Sequence, residues 1–389
     1  MRICKMTLIG ALIVLLSFAC SKKDDSSEIR IGGIFTLTGP THESCIPYAD
    51  GIRNCIDSLN EKGGINGRKI RLVEADYGYL ISRAREVYRR MVEKEKVNAI
   101  FGWGTGDTEA LRPFVAKDKI PFMSASYSLK LGNIGEAPYN FLIGVTYSDQ
   151  IKIALKFILD EWKNQSRKPR VALIYNDTPF GRSPVEDGKA YAASLGIKVV
   201  SEEIVALDAF EAQDQLLRIK ARNADYAITQ ETAWATSVIL KDAQKLGLTT
   251  TFIGLNWCAD EKVVALAEES AEGFIGVLPF LFTNENIRGI REINAYNKSK
   301  NIHIEGYIHR YIQGWTTAKV MAEGIRLAGN NINGPGIKKG LESIRNYDTG
   351  GITAPITFTS ETHKGTDKLK IARVIHGKWQ IISDYLSAQ

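Results

Sequence analysis

Long apolar runs are absent from most of this 389-residue chain. After the first twenty residues, no stretch reaches about 18 consecutive apolar side chains, the length that crosses a bilayer as a helix. The composition is that of an ordinary globular chain, with 44% apolar and 24% charged residues. We therefore predict no transmembrane helix beyond the N-terminal segment.

Cysteine is scarce. Beyond residue 20, the chain has Cys45, Cys55 and Cys258, which cannot all pair with one another. Cys45 and Cys55 flank or lie on one predicted helix, where ten residues separate α-carbons by about 15 Å, beyond disulfide reach. We expect these cysteines to be small buried apolar side chains and the fold to depend mainly on its core.

Concentrated charge of one sign is also missing. The net charge is +6, and the basic residues are scattered along the chain. A nucleic-acid-binding domain usually clusters its Lys and Arg residues on one face or along one helix. The sequence therefore predicts no nucleic-acid partner.

The short motifs of common enzymes do not occur. There is no G-x-S-x-G elbow, and neither the H-x-x-x-H nor the C-x-x-C metal spacing is present. Glycines 102, 104 and 106 follow a predicted strand but lack the G-x-G-x-x-G spacing of dinucleotide sites. We expect a protein that is not an enzyme and that uses neither a metal nor a cofactor.

The N-terminal segment has a different character from the rest. Arg2 and Lys5 precede an apolar run over residues 6–16, and small residues then lead to Cys20. The run is about eleven residues, too short to span roughly 30 Å of hydrocarbon. This arrangement predicts a secretory signal peptide at residues 1–19.

Cys20 follows the predicted cut in a pattern similar to a bacterial lipobox, although the usual leucine is displaced by one position. We expect Cys20 to be lipidated, with plain secretion as the alternative. Residues 20–27 are polar and charged, which is typical of a solvated tether. The protein is then expected to be exported and held by its lipid on a bacterial membrane, facing the periplasm or the cell exterior.

Strands and helices alternate from residue 28 onward. A first series has predicted strands at 29–37, 69–75, 97–101, 121–124 and 141–145, and helices at 49–61, 83–95 and 108–117. A second series has strands near 170–175, 198–205, 225–229 and 251–255, and helices near 150–162, 184–194, 211–222 and 234–246. Strands separated by helices indicate parallel sheets covered on both faces. The sequence therefore predicts an α/β fold with two doubly wound, Rossmann-like lobes.

The last third of the chain departs from this alternation. It has a predicted strand at 273–281, helices at 286–300, 307–328 and 336–345, and strands at 355–359, 368–375 and 379–383. The simplest explanation is that the chain returns to complete each lobe in turn. We predict lobe 1 from residues 28–146 plus 276–350, lobe 2 from residues 147–275 plus 351–389, and a three-stranded hinge. Such a hinge suits two lobes that close on a ligand.

Six short segments carry a resemblance to a known family. They are EIRIGGI at 28–34, LTGP at 37–40, NEKGGINGRKI at 60–70, YSDQ at 147–150, SAEGF at 270–274 and APITF at 354–358. The chain resembles, from about residue 28 to residue 383, the leucine/isoleucine/valine-type solute-binding proteins of bacterial ABC importers, which have the type I periplasmic binding protein fold. Each segment alone is weak, but their order along the chain is specific.

The resemblance implies a monomeric binding protein that captures its ligand between the lobes and docks on a membrane permease. In amino-acid-binding members, backbone N–H groups and hydroxyls at the ends of two first-lobe strands hold the ligand carboxylate. The matching segments are GWGTGDT at 102–108 and SASYS at 124–128. Strand ends beside helix N-termini favour anions on physical grounds as well. The expected ligand-binding residues of this lobe are Trp103, Thr105, Gly106, Ser126, Tyr127 and Ser128.

The second lobe should contact the other side of the ligand. Phe180, in NDTPFG at 176–181, matches a family position that is commonly aromatic. The segments QETAW at 230–234 and GLNWC at 254–258 follow the next two predicted strands and supply Glu231, Thr232 and Asn256. Aromatic residues in such loops are harder to explain as core than those on helix faces.

One departure from the family leaves the ligand open. Amino-acid-binding members place a glutamate after the strand that matches residues 251–255, where it pairs with the ligand ammonium; here Asn256 stands there. Burying an ammonium without a carboxylate is costly. We expect Glu231 to take over the pairing and the ligand to be an amino acid, branched-chain or related. The alternative is an aromatic or aliphatic carboxylic acid without an α-amino group. A sensory subunit with the same fold is a further alternative.

Overall fold

The computed structural model describes residues 28–388 except residues 165, 283–285, 305 and 307. The predicted signal peptide, the tether and Cys20 lie outside the described residues. Within them, no helix is both long enough and apolar enough to cross a membrane.

The first sheet is parallel and four-stranded, in the order β2-β1-β3-β4. Its strands are β1 (Glu28–Phe35), β2 (Lys69–Asp76), β3 (Ala99–Gly102) and β4 (Phe122–Ser124). The connecting helices are α1 (His42–Glu61), α2 (Ile81–Glu93) and α3 (Thr105–Asp118). The strand order reverses between β1 and β3, so the loops after these strands diverge and leave a crevice at their carboxyl ends.

The second sheet has a parallel part in the order β6-β5-β7-β8-β9. These strands are β5 (Arg170–Tyr175), β6 (Lys198–Ile204), β7 (Tyr226–Gln230), β8 (Thr251–Gly254) and β9 (Ile275–Leu278). The helices are α4 (Tyr147–Glu161), α5 (Pro179–Arg182), α6 (Val185–Ser194), α7 (Gln213–Ala221), α8 (Ala233–Lys245) and α9 (Glu261–Ala267). This sheet has its own reversal, between β5 and β7, and thus a second crevice.

The last part of the chain contributes to both units. Helices α10 (Arg288–Ser299), α11 (Ile308–Ala328) and α12 (Gly334–Leu341) come first, and α11 packs along α1 of the first unit. Strand β10 (Lys368–Ile375) then pairs antiparallel with β9, while β11 (Lys378–Ile381) and β12 (Leu386–Ser387) pair with β10. The described chain thus passes between the units three times, and the predicted fold of two doubly wound lobes is confirmed.

Two glycines allow α1 and α11 to lie unusually close. A Cβ at Gly51 would lie 2.1 Å from the carbonyl oxygen of Tyr311, and a Cβ at Gly314 would lie 1.9 Å from that of Tyr48. Such distances are sterically impossible, so only glycine fits at either position. The contact fixes α11 against lobe 1.

The exact lobe boundaries stay a prediction. Strand β9, which the predicted boundary at residue 276 divides, pairs with β8 and β10 in the second sheet. Two other expectations were wrong in detail. Helix α1 begins at His42, seven residues before the predicted start, and accommodates Pro47 near its N-terminus. The segments 141–145 and 355–359 form isolated bridges instead of strands, because Leu142 and Ile356 each pair with a neighbour at a single point.

The three cysteines of the folded body are free and buried, as expected. Cys45 and Cys55 both lie on α1, and Cys258 lies in the loop after β8. Burial raises the pKa of all three thiols, which keeps them protonated. They behave as apolar core side chains.

Candidate functional site

A narrow cavity with a free volume of about 30 Å³ lies between the two lobes. Its lining residues follow the carboxyl ends of strands in both sheets or lie at the first crossover. They are Thr41, Ser44, Tyr79, Trp103, Gly104, Thr105, Ala125, Tyr147, Phe180, Thr232 and Trp257. The cavity therefore occupies the crevices that the two strand-order reversals create.

The polar part of the wall is a group of hydroxyls beside the N-terminus of α3. Gly104 precedes the helix and has no side chain to cap it. Thr105, the first residue of α3, places its Oγ1 2.8 Å from the Oγ of Ser126. Tyr147 lies next to both hydroxyls, and burial raises the pKa of Tyr147 to about 12. Hydroxyl donors and helix N–H groups at one point suit an anionic group of a small molecule.

The remaining wall is aromatic and comes from both lobes. The rings of Trp103 and Trp257 meet edge to face, with centroids 5.1 Å apart. Trp103 Nε1 donates to Thr41 Oγ1 at 2.9 Å, and Trp257 Nε1 donates to the Tyr147 hydroxyl at 2.9 Å. Phe180 packs against Tyr147 with centroids 5.6 Å apart. These contacts hold the rings in fixed positions around the cavity.

Trp103, Thr105, Phe180 and Thr232 are the predicted site residues that line this cavity. Ser126 contributes through its contact with Thr105. Gly106 lies beside them at the interface between the lobes, where an added Cβ would come within 3.3 Å of Pro179.

Tyr127 and Ser128 have partners elsewhere. The Tyr127 hydroxyl accepts from Gln313 Nε2 at 2.7 Å, and the ring packs behind Tyr147. Ser128 Oγ donates to Glu109 Oε1 at 2.7 Å. Neither residue is part of the cavity wall in this structure.

Glu231 is buried in lobe 2 just before the lining residue Thr232. Its Oε2 accepts from Asn176 Nδ2 at 3.0 Å, while Oε1 has no hydrogen-bond partner among the described residues. Burial raises the pKa of Glu231 well above its ordinary value and so favours the neutral acid.

Asn256 is also buried, and its backbone N–H donates to Gln150 Oε1 at 3.1 Å. Neither polar atom of its side chain has a partner within the described part of the chain. Buried amides normally find partners, so Asn256 retains hydrogen-bonding capacity close to Trp257.

Several lining residues were missing from the predicted site, namely Thr41, Ser44, Tyr79, Gly104, Ala125, Tyr147 and Trp257. The rule that loops at strand ends form the site, applied to β1 and β2 as well, would have found the first three. Ala125 and Trp257 lie within segments that the sequence already singled out. Tyr147 begins α4 at the crossover, and its role depends on how the lobes meet.

None of the described cavity-lining residues carries a charge. Asp107 is the nearest acidic side chain on α3, and its Oδ1 accepts from the Tyr77 hydroxyl at 2.8 Å. Burial raises the pKa of Asp107 from 3.8 to about 6. A Cβ at Gly104 would lie 2.2 Å from Asp107 Oδ1, so the close approach of this carboxyl to the backbone requires glycine.

Comparison with known proteins agrees with this architecture. The family described as "Periplasmic binding protein" matches residues 28–378. The Leu/Ile/Val-binding protein of Escherichia coli is 23% identical over 271 residues, which are 68% of this chain and 71% of that protein.

Solved structures show the same fold. A branched-chain amino acid ABC transporter protein from Thermus thermophilus with bound valine superimposes with a TM-score of 0.87 at 25% identity, covering 92% of this chain and 96% of that one. A fatty acid ABC transporter substrate-binding protein from Thermomonospora curvata gives a TM-score of 0.83 at 19% identity, covering 93% and 92%. The second likeness shows the fold alone, and the two titles name chemically different ligands. The resemblance to type I periplasmic binding proteins is confirmed.

Proposed function

We propose, from the premise that this chain belongs to the periplasmic binding protein family, that it is the solute-binding component of an ABC importer. Members of this family are exported ligand-binding proteins that work with membrane permeases, and the relatives found are solute-binding proteins. The observation that carries the proposal is the interlobe cavity, because it places hydroxyls, a helix N-terminus and aromatic rings around one small volume.

The ligand we propose is a small carboxylic acid. Its carboxylate would lie at the N-terminus of α3, near Thr105, Ser126 and Tyr147, where hydroxyls and backbone N–H groups can donate to both oxygens. Its apolar part would lie between Trp103, Trp257 and Phe180. The free volume of about 30 Å³ holds only one or two water molecules, so the lobes would have to part to admit even a metabolite of a few carbon atoms.

The geometry favours an acid without an α-ammonium group. The described wall offers no carboxylate to pair with an ammonium, and an unpaired buried ammonium is costly. Glu231 is outside the wall, and its buried position favours the neutral form. An aliphatic or aromatic carboxylic acid needs no such partner.

An amino acid is the second candidate, for one specific reason. Glu231 Oε1 has no partner among the described residues, although its carboxyl is buried beside Thr232 of the wall. A ligand ammonium would give this oxygen a partner and lower the pKa of the carboxyl. Two of the relatives are named for branched-chain amino acids, which supports this alternative.

The test combines identification with a ligand panel. Mass spectrometry of small molecules released from natively purified protein identifies the ligand directly. A thermal-shift panel of amino acids and their deaminated analogues, on wild type and Glu231→Gln, separates the candidates. Binding of deaminated acids alone supports the primary proposal. Binding of amino acids that Glu231→Gln abolishes supports the second candidate, and no binding by either class overturns both.

Importer and sensor share this fold and would use the same cavity. Neighbouring genes for permeases and ATPases, and copurification with those permeases, would support transport. Copurification with a sensor kinase instead would overturn the importer assignment.

A further inference from the structure

Arg310 is a buried cation that joins the two lobes. It lies in the first turn of α11, which packs on lobe 1, and its side chain is 1% exposed. Its Nη2 donates to Asp260 Oδ2 at 2.9 Å and to the carbonyl oxygens of Asn256 and Trp257 at 3.1 Å each. These partners all belong to residues 256–260, the loop that follows β8 in lobe 2.

The same guanidinium lies over the ring of Trp257. Its central carbon is 4.3 Å from the ring centroid, within the range of a cation–π interaction. The Trp257 ring in turn contacts Trp103 of lobe 1 and donates to Tyr147. Arg310 therefore contacts both the backbone and the ring of a residue that lines the cavity.

Neighbouring contacts fix the same loop to α11. The backbone N–H of His309 donates to Glu261 Oε1 at 3.0 Å, and His309 Nδ1 lies 2.9 Å from the carbonyl oxygen of Ala259. Burial lowers the pKa of His309 well below its ordinary value, which leaves the imidazole neutral. Trp379 Nε1 donates to the carbonyl oxygen of Asp260 from the lobe 2 side.

This arrangement requires arginine. All three hydrogen bonds from Arg310 to this loop come from Nη2, at the far end of the side chain, while the planar guanidinium lies over the Trp257 ring. Lysine at this position would keep the charge but has no flat face to lie over the ring, and its shorter side chain would not place its nitrogen where Nη2 lies. The contacts therefore depend on the shape of the side chain as well as its charge.

We propose that Arg310 is a positioning residue for the cavity: it ties α11 to residues 256–260 and holds the Trp257 ring against Trp103. Closing of the lobes and assembly of the aromatic wall are then a single event. The inference rests on the proposed function only in taking this cavity as the ligand site.

The test uses the two tryptophans as their own reporter, without added ligand. Indole rings in edge contact couple their electronic transitions, which produces a paired signal in circular dichroism. Trp103→Phe and Trp257→Phe identify that signal by removing it. Arg310→Lys should lose most of it and should increase the radius of gyration in small-angle scattering, while unfolding stays cooperative.

Arg167→Lys is the matched control. Arg167 also forms an ion pair, with Asp225 at 2.6 Å, but on a surface of lobe 2 outside the cavity. This control should keep both the paired signal and the wild-type radius. A general effect of losing an arginine ion pair would change both variants alike.

A second variant covers the case in which Arg310→Lys does not fold. Arg310→Met with Asp260→Leu removes both buried charges, a change that proteins often tolerate, and it should also lose the paired signal. A folded variant of either kind that keeps the full signal and the wild-type radius overturns the inference. So does a ligand-free wild type without the signal. The ligand panel can fail independently of these results, so the two proposals are separable.

Discussion

The hydroxyl oxygens of Thr105 and Ser126 lie 2.8 Å apart, although the two residues follow different strands of the first sheet. The pairing brings the start of α3 and the loop after β4 to one point of the cavity. It makes the clearest candidate for a carboxylate site on lobe 1.

The first prediction concerns this pair. Thr105→Ala and Ser126→Ala should each weaken binding of the acid recovered from native protein by about tenfold to a hundredfold, because each removes a charge-assisted hydrogen bond of about 1.5–3 kcal/mol. Titration calorimetry measures the change. Ser128→Ala is the matched control, since its hydroxyl donates to Glu109 outside the wall. A loss of affinity in Ser128→Ala alone would show that the anion binds at Ser128 and not at the pair of Thr105 and Ser126.

The second prediction concerns Phe180. Phe180→Ala should reduce affinity by about tenfold or more, because it removes an aromatic contact worth about 1 kcal/mol together with the apolar area that it buries. Phe210→Ala should leave affinity unchanged, since Phe210 is 86% exposed on the same lobe. Calorimetry on both variants measures the affinity. If Phe180→Ala binds the ligand as tightly as Phe210→Ala, Phe180 is not part of the site.

The third prediction is a pH dependence at Asp107. Burial raises its folded-state pKa from 3.8 to about 6, so the folded protein holds this proton more tightly than the unfolded chain. Stability should therefore fall as pH rises through that window, and the loss should be complete above the folded pKa.

Asp107→Asn should remove this component. Between about pH 4 and pH 7, the free energy of unfolding of wild type should fall by about 2 kcal/mol more than that of the variant. Urea unfolding at the two pH values measures it. Asp118→Asn is the control, because Asp118 on the same helix also accepts from a tyrosine hydroxyl, that of Tyr88. Parallel pH profiles for wild type and Asp107→Asn would contradict the assignment.

The fourth prediction concerns the contact between α1 and α11. Gly314→Ala should destabilise the protein by about 1–3 kcal/mol or more, because its Cβ would overlap the carbonyl oxygen of Tyr48. Gly135→Ala should have a small effect, since an added Cβ there meets only the side chain of Asn133, at 3.3 Å. Thermal unfolding compares them; equal melting temperatures would mean that the helices can separate at little cost.

The fifth prediction concerns the N-terminus, where Cys20 follows the predicted cut. Mature protein should partition into detergent and carry acyl groups on Cys20, and Cys20→Ala should release the protein or leave the precursor uncut. Intact-mass measurement is the check. An unmodified Cys20 at the mature N-terminus, or cleavage at another residue, would replace lipidation by plain secretion.

Sequence patterns predicted the fold better than the cavity. Strand and helix periodicity depends on local spacing, so β10 and α11 were placed within a residue of their observed bounds. The start of α1 was missed by seven residues, because the helix begins at His42 and continues through Pro47 at its sixth position, although a proline inside a helix removes one backbone hydrogen bond.

The cavity depends on how two distant surfaces meet, which periodicity does not encode. Trp103 and Phe180 were found because both follow strand ends. Tyr147 was missed because the position of its ring depends on Phe180 and Trp257, which are distant in sequence and contact it only in the folded protein. Arg310 was missed for the same reason. Most of its helix is buried, so its sequence pattern does not single it out, and its role depends on the loop at residues 256–260 in the other lobe.

The three crossings between the lobes have a consequence for how the protein is made. Asn54 of α1 bonds Tyr311 of α11 across 257 residues of sequence, and Asp260 bonds Trp379 across 119. Neither lobe can be completed until the last quarter of the chain is available, and such long-range contacts slow folding. A chain that must be threaded through a membrane before it folds gains from this delay. We therefore expect a protein truncated after α9 to remain open to proteases along its whole length, because each lobe would lack the segment that closes it.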